Sequence, residues 1–154
     1  MMNHPSCEQL VQLVREHLET SVGGSITDVP TKTVLAMIDS ILANVASRCG
    51  HEVAWMHEEV AVVLAEADDY VDNGRPGARL VAEALAVLRE LDSSSLHFDD
   101  VQRRYDAAGE VLSRLLENCR TADETVRQRV EHLLEQRLHR ELHIRGSFEL
   151  AGRS

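Results

Sequence analysis

The fold is decided in residues 101–119, which read VQRRYDAAGEVLSRLLENC. Apolar residues recur there with steps of 4, 3, 4, 3 and 4, at Val101, Tyr105, Ala108, Leu112, Leu115 and Cys119. This heptad spacing is typical of a helix inside a bundle, because it keeps one apolar stripe facing the neighbouring helices. We therefore predict a helix over residues 99–118 that runs through the middle of an all-α bundle.

The same helical periodicity extends outward from this segment in both directions. Breaks at Gly23-Gly24, Gly50, Asn73-Gly74 and Asp92–Ser95 separate the apolar stripes, and no strand-like alternation exceeds a few residues. The sequence predicts an all-α fold, a single-domain helical bundle over residues 1–154 with about six amphipathic helices. Their predicted ranges are 6–22, 31–48, 51–72, 76–91, 99–118 and 122–143.

The chain is acidic, with 26 acidic and 16 basic residues and a formal net charge of -10. Such a surface repels phosphate backbones, so we expect no nucleic-acid partner. Four carboxylates crowd the end of the third predicted helix, where the helix dipole disfavours anions: Glu66, Asp68, Asp69 and Asp72. We interpret this cluster as a solvated acidic patch or as a docking surface for arginines of a partner.

The cysteines and the N-terminus indicate the compartment. Cys7, Cys49 and Cys119 are odd in number and far apart, which predicts neither a disulfide framework nor a zinc site and fits a reducing cytoplasm. Residues 1–5 lack the basic segment and apolar run of a signal peptide, and no window approaches 18 uninterrupted apolar residues. We expect a cytoplasmic protein without a membrane segment.

Two groups of histidines are candidate metal ligands. His17 and His57 each fall on the apolar stripe of a helix, with Glu16 or Glu58 nearby. Each is interpreted either as a pocket residue or metal ligand, or as a core-edge histidine bonded to a neighbour.

The second group is a stripe on the last helix, formed by His132, Glu135, His139 and His143. Two histidines at i and i+4 can share a divalent metal. The stripe lies opposite the apolar residues of that helix, however, so we expect it to face solvent or a partner. A metal bound by His139 and His143 would then be adventitious.

Trp55 is the only tryptophan and lies off the apolar stripe of the third helix. We interpret it as an interface residue, because tryptophan is enriched at binding hot spots, or as a cap on the end of the bundle. The common phosphate-binding, dinucleotide-binding, nucleophile-elbow and zinc-protease motifs are absent from the sequence. We therefore predict no catalytic residue and no cofactor.

Residues 8–19, EQLVQLVREHLE, resemble the Leu-Leu-x-x-Val-Arg-x-Phe-Leu opening of an uncharacterised bacterial all-helical family. Residues 36–46 and 138–144 resemble its second helix and its closing amphipathic turn. The sequence departs from the family at His17, where an aromatic residue is usual, and lacks a Gly-Arg-x-Phe-x-x-Arg-Val lead-in around residues 29–34. Members are encoded beside aminoglycoside-phosphotransferase-like kinases and acyl-CoA dehydrogenases. The resemblance implies a non-catalytic accessory protein.

These observations predict a cytoplasmic accessory or protein-interaction module. Its partner would be a protein, such as a kinase-like protein or an acyl-CoA dehydrogenase, bound through an acidic face. The alternative is a small metal- or ligand-binding bundle that uses His17 and His57. A homodimer in which the fifth or the last helix pairs with its copy is compatible with both.

Overall fold

The computed structural model describes the backbone of residues 4–145 and the side chains of residues 4–142. Six α-helices and no strand occur in this range, which confirms the all-α prediction. The helices are α1 (Cys7–His17), α2 (Val29–Cys49), α3 (Glu52–Asp72), α4 (Ala78–Glu90), α5 (Phe98–Asn118) and α6 (Glu124–Arg145). Leu18–Val22 continues α1 as a π-helical turn, so the first predicted helix reaches its predicted end with a different hydrogen-bond pattern.

Local chemistry places the helix ends. Ser6 caps α1 in a capping box: its hydroxyl accepts from the Gln9 amide at 3.2 Å, and the Ser6 amide donates to the Gln9 side chain at 2.9 Å. Asp28 caps α2 by accepting from the Thr31 amide at 3.0 Å. Gly77 precedes α4 with a φ of 70°, a left-handed conformation that glycine adopts without strain.

The chain forms two compact units. The first unit contains the described residues up to Glu52 and those from Glu141 onward, and the second unit contains Val53–Arg140. The single domain predicted over residues 1–154 stays a prediction.

The second unit is built around α5, as its heptad spacing predicts. The apolar stripe of α5 is buried in one cluster with side chains of α3, α4 and α6, and Val101, Ala108 and Leu115 have at most 1% of their surface exposed. The apolar stripe of α5 is therefore buried by contacts within the chain. It is not available for the predicted pairing of α5 with a copy of itself.

A buried ion pair joins α3, α5 and α6. Glu59 Oε1 lies 3.1 Å from Arg137 Nη1, and both side chains are largely buried. The Arg137 guanidinium stacks 4.3 Å from the ring centre of Tyr105, a cation–π contact. Gly109 makes room for this stacking, because a Cβ there would stand 3.0 Å from Arg137 Nη2.

Arg137→Met should lower the free energy of unfolding by about 3 kcal/mol, because it removes the guanidinium from a buried carboxylate. Adding Glu59→Met should recover part of this loss, since no buried charge then remains at the site. Urea unfolding followed by circular dichroism measures both variants. A double variant no more stable than Arg137→Met would contradict the ion pair as the source of the effect.

Candidate functional site

α1 and α2 form an antiparallel helical hairpin in the first unit. Three pairs of neighbours establish the direction: Glu8 with Gly50, Arg15 with Asp39, and Gly23 with Leu35. The Arg15 guanidinium binds both carboxylate oxygens of Asp39, at 2.8 and 3.0 Å. Ala46 is the only buried residue among the described residues of this unit. Within the described residues, the hairpin therefore has almost no buried core of its own.

Each hairpin helix carries an apolar stripe that the contact between α1 and α2 leaves uncovered. The stripe residues of α1 are 48–49% exposed, and those of α2 are 39–53% exposed. We call the two stripes together the apolar face, which consists of Leu10, Leu13, Val14, Val34, Met37, Ile38, Ile41 and Val45.

The two stripes lie on the same side of the hairpin. At about 100° per residue, the uncovered stripe of each helix is rotated by about 110° from the half-buried or buried side of that helix, in the same sense along each chain. These sides are formed by Val11, Arg15 and Leu18 on α1 and by Leu35, Leu42 and Ala46 on α2. In an antiparallel pair, equal rotations in the same sense bring both stripes to one side. The apolar face is therefore one continuous surface.

The charged residues of the hairpin helices form ion pairs or lie away from the apolar face. The charged residues of α2 are Lys32, Asp39 and Arg48. Asp39 is bound by Arg15, and Arg48 contacts Glu52. His17 is the one titratable side chain that continues the α1 stripe, at the end near the loop.

The opposite side of the hairpin carries both charged and apolar residues around a groove. A groove of about 500 Å³ runs between the helices there, and its charged lining residues are Arg15, Glu16, Glu19, Lys32 and Asp39. A groove of this size could accommodate a small molecule. It is the second candidate site of the first unit.

α2 is long and apolar enough to cross a membrane by length and composition alone. It is the only helix of the described residues that meets this test, and 6% of its most apolar window is buried. One such helix is weak evidence for a membrane span, because helices of soluble proteins pass the same test.

Among the described residues, no group of three or more His, Cys, Asp or Glu side chains is placed so that it could hold a metal ion. His17 is exposed, so its predicted inward orientation is wrong: the stripe it shares with Val14 is itself uncovered. His57, in the second unit, is half-buried, and its Nε2 atom is buried without a hydrogen-bond partner among the described residues. The metal-ligand role of both stays a prediction.

The histidine stripe of α6 faces outward where its side chains are described. His132, Glu135 and His139 are exposed, as predicted, and His132 lies 2.8 Å from Gln136. His143 lies outside the described side chains.

The acidic cluster at the end of α3 is largely matched by arginines of the same chain. Glu66 and Asp69 both contact Arg129, at 3.0 and 2.5 Å, and Asp68 contacts Arg89 at 2.5 Å. These arginines compensate the unfavourable position of the carboxylates at the helix end. Asp72 is exposed.

Trp55 is half-buried, and its carbonyl oxygen accepts a hydrogen bond from Arg140 at 3.0 Å. This contact joins α3 to α6 near the start of α3. A role for Trp55 in an interface stays a prediction.

Sequence reasoning missed the apolar face. The signal was present, because α2 carries apolar residues at two sets of positions, with Leu35 and Leu42 beside the stripe of Val34 and Ile41. A helix with one broad apolar stripe and a helix with two separate apolar stripes have nearly the same periodicity in sequence. The position of α1 in the structure shows that the Leu35 and Leu42 side of α2 is the side that contacts α1.

The first unit thus defines an all-α protein with an uncovered apolar surface on a helical hairpin. No protein-family model, no curated protein and no solved structure matches the chain.

The Arg15–Asp39 pair generates a pH-dependent prediction. The hydrogen bond from Arg15 lowers the pKa of Asp39 below its ordinary value. A lowered folded-state pKa contributes stability above the unfolded-state pKa, about 3.9, and this stability disappears as the pH falls through the folded-state value. Because Asp39 is 45% exposed, the pair should contribute only about 0.5 kcal/mol at neutral pH.

An NMR titration of the Asp39 carboxyl carbon measures this pKa directly. The Arg15→Met variant should return the pKa of Asp39 toward its ordinary value, whereas Arg48→Met, which removes another arginine of the hairpin, should leave it lowered. An equal pKa in wild type and Arg15→Met would exclude Arg15 as the cause.

Proposed function

We propose that the chain is a protein-interaction module that binds another polypeptide through the apolar face of the first unit. The observation that supports this proposal is eight large apolar side chains, 39–53% exposed, on one side of one hairpin. Together they present on the order of 700 Å² of surface, more than monomeric soluble proteins usually expose in one apolar patch. Such patches mark interaction sites.

This proposal moves the binding surface from the acidic face to the apolar face. Three of the four carboxylates at the end of α3 already contact arginines of the chain, which favours a structural role for them. A kinase-like or acyl-CoA dehydrogenase partner in the cytoplasm is proposed from the family resemblance alone.

The test is capture of a bound polypeptide by the tagged full-length chain. Ile38→Glu places a charge in the centre of the apolar face, and Ser40→Glu places the same charge two residues away on an exposed position outside that face. A polypeptide, either a second copy with a different tag or another protein, should be captured by wild type and Ser40→Glu. Its capture should fall at least about tenfold with Ile38→Glu, because a buried unpaired carboxylate opposes binding.

Far-ultraviolet circular dichroism of the three proteins shows whether helical content is retained. Capture that is absent in wild type, or unchanged by a folded Ile38→Glu, would overturn the proposed function.

A second candidate function, binding of a small ligand, is favoured by the groove with charged lining residues on the other side of the hairpin. Native mass spectrometry of untagged protein separates the two. Masses of whole polypeptides alone are expected for an interaction module. A reproducible small added mass that Arg15→Met removes and Ile38→Glu retains would identify the groove as the functional site.

A further inference from the structure

We infer that the polypeptide on the apolar face is a second copy of this chain, and that two hairpins pack face to face into a four-helix bundle. This inference rests on the proposed function and specifies its partner. Four observations carry it: the angle between the stripes of each helix, their spacing, the exposed area, and the charge of the hairpin.

The angle between stripes fits one half of a four-helix bundle. Each helix of such a bundle contacts two neighbours, which lie roughly at right angles about its axis. In both hairpin helices the covered and uncovered stripes are about 110° apart. The half-buried side of each helix meets the neighbour within the chain, so the apolar face is the side that a neighbour across the bundle should cover.

The spacing within the apolar face fits helix pairing as well. On α2 the residues Val34, Ile38, Ile41 and Val45 are spaced by steps of 4, 3 and 4. On α1, Leu10 and Val14 are separated by a step of 4, as at the start of the α2 stripe. This is the spacing of knobs-into-holes packing between long helices. A two-fold axis lets the same surface serve on both partners, so a second copy supplies the missing half.

The exposed area is close to what a stable dimer buries. About 700 Å² on each protomer approaches the roughly 800 Å² per partner of a standard interface. Among its described residues, the second unit does not offer a comparable surface, because the exposed large apolar residues are spread over four helices and one connection. In the described residues these are Val62, Leu80, Val87, Leu96, Phe98 and Leu138.

Charge favours a second copy over a membrane as the covering surface. Residues 4–52 carry six acidic and only three basic residues, whereas helices that lie on membranes are rich in lysine and arginine. Asp39 stands at the middle of α2, where an ionised residue opposes insertion by about 3 kcal/mol. Its bond to Arg15 keeps it ionised on the groove side of the hairpin.

Sedimentation velocity over a concentration series tests the inference on the full-length chain. Wild type should be a dimer with a Kd on the order of 1 μM or tighter. Ile41→Glu should raise this Kd at least about a hundredfold, since the carboxylate would be buried without a partner. Ser40→Glu, the neighbouring exposed position outside the apolar face, should leave the Kd within about threefold of wild type.

Cysteine crosslinking locates the interface without a destabilising charge. Cys7 and Cys49 are exposed and would be replaced by serine, while Cys119 is buried and can remain. In this background single cysteines are placed at Val34, Ile38, Ile41 and Val45. At least one should form a disulfide-linked dimer under mild oxidation, and Ser40→Cys should not.

The outcomes separate this inference from the proposed function. A wild-type monomer at 100-fold above the expected Kd, or a dimer that Ile41→Glu leaves intact and that no stripe cysteine crosslinks, would overturn the second copy as partner. If Ile38→Glu still abolished capture of a different protein, the proposed function would stand with another occupant. If no polypeptide were captured, both would fail. Binding to anionic vesicles by the wild-type monomer would instead assign the face to a membrane.

Discussion

The hairpin is governed by a simple packing constraint: a pair of helices can bury only one side of each helix. α1 and α2 each carry apolar residues on two sides, and the Arg15–Asp39 pair marks the sides that meet. The apolar residues on the remaining sides are about half exposed in the hairpin, and exposed apolar area carries a free-energy cost that grows with the area. Because Ala46 is the only described residue of this unit that is buried, the hairpin has almost no core among its own described residues.

In the second unit, four helices pack together, so the apolar sides that a single pair of helices would leave exposed are buried. α5 shares its buried stripe with three other helices, and every large apolar position of its heptad is covered. Its buried charges are also paired within the unit: Arg137 binds Glu59, and the Arg137 guanidinium stacks on the ring of Tyr105. The same chain therefore contains one set of helices with a complete core and one pair without.

Helix positions could be predicted from the sequence because their signals are local. The capping box at Ser6 and the apolar periodicity of α5 lie within a few turns of the ends and faces they specify. Partners distant in the chain could not be predicted. Arg129 compensates Glu66 across 63 residues, and no pattern near the acidic cluster indicates it.

The apolar stripes of the candidate site could be predicted from the sequence, but their exposure could not, because exposure also depends on residues distant in the chain. Periodicity shows that a side of a helix is apolar, but whether that side is covered depends on the direction in which the next helix returns. His17 illustrates the difference, since it lies on an apolar stripe and is nevertheless exposed.

The groove on the other side of the hairpin has a practical consequence for handling the protein. Lys32, which lines that groove, is the only lysine in the sequence. Amine-reactive dyes and coupling chemistries therefore attach at Lys32 or at the N-terminal amine. Attachment through Lys32 fixes the molecule by the side of the hairpin that faces away from Val34 and Ile41, and so leaves the apolar side unobstructed by the linker.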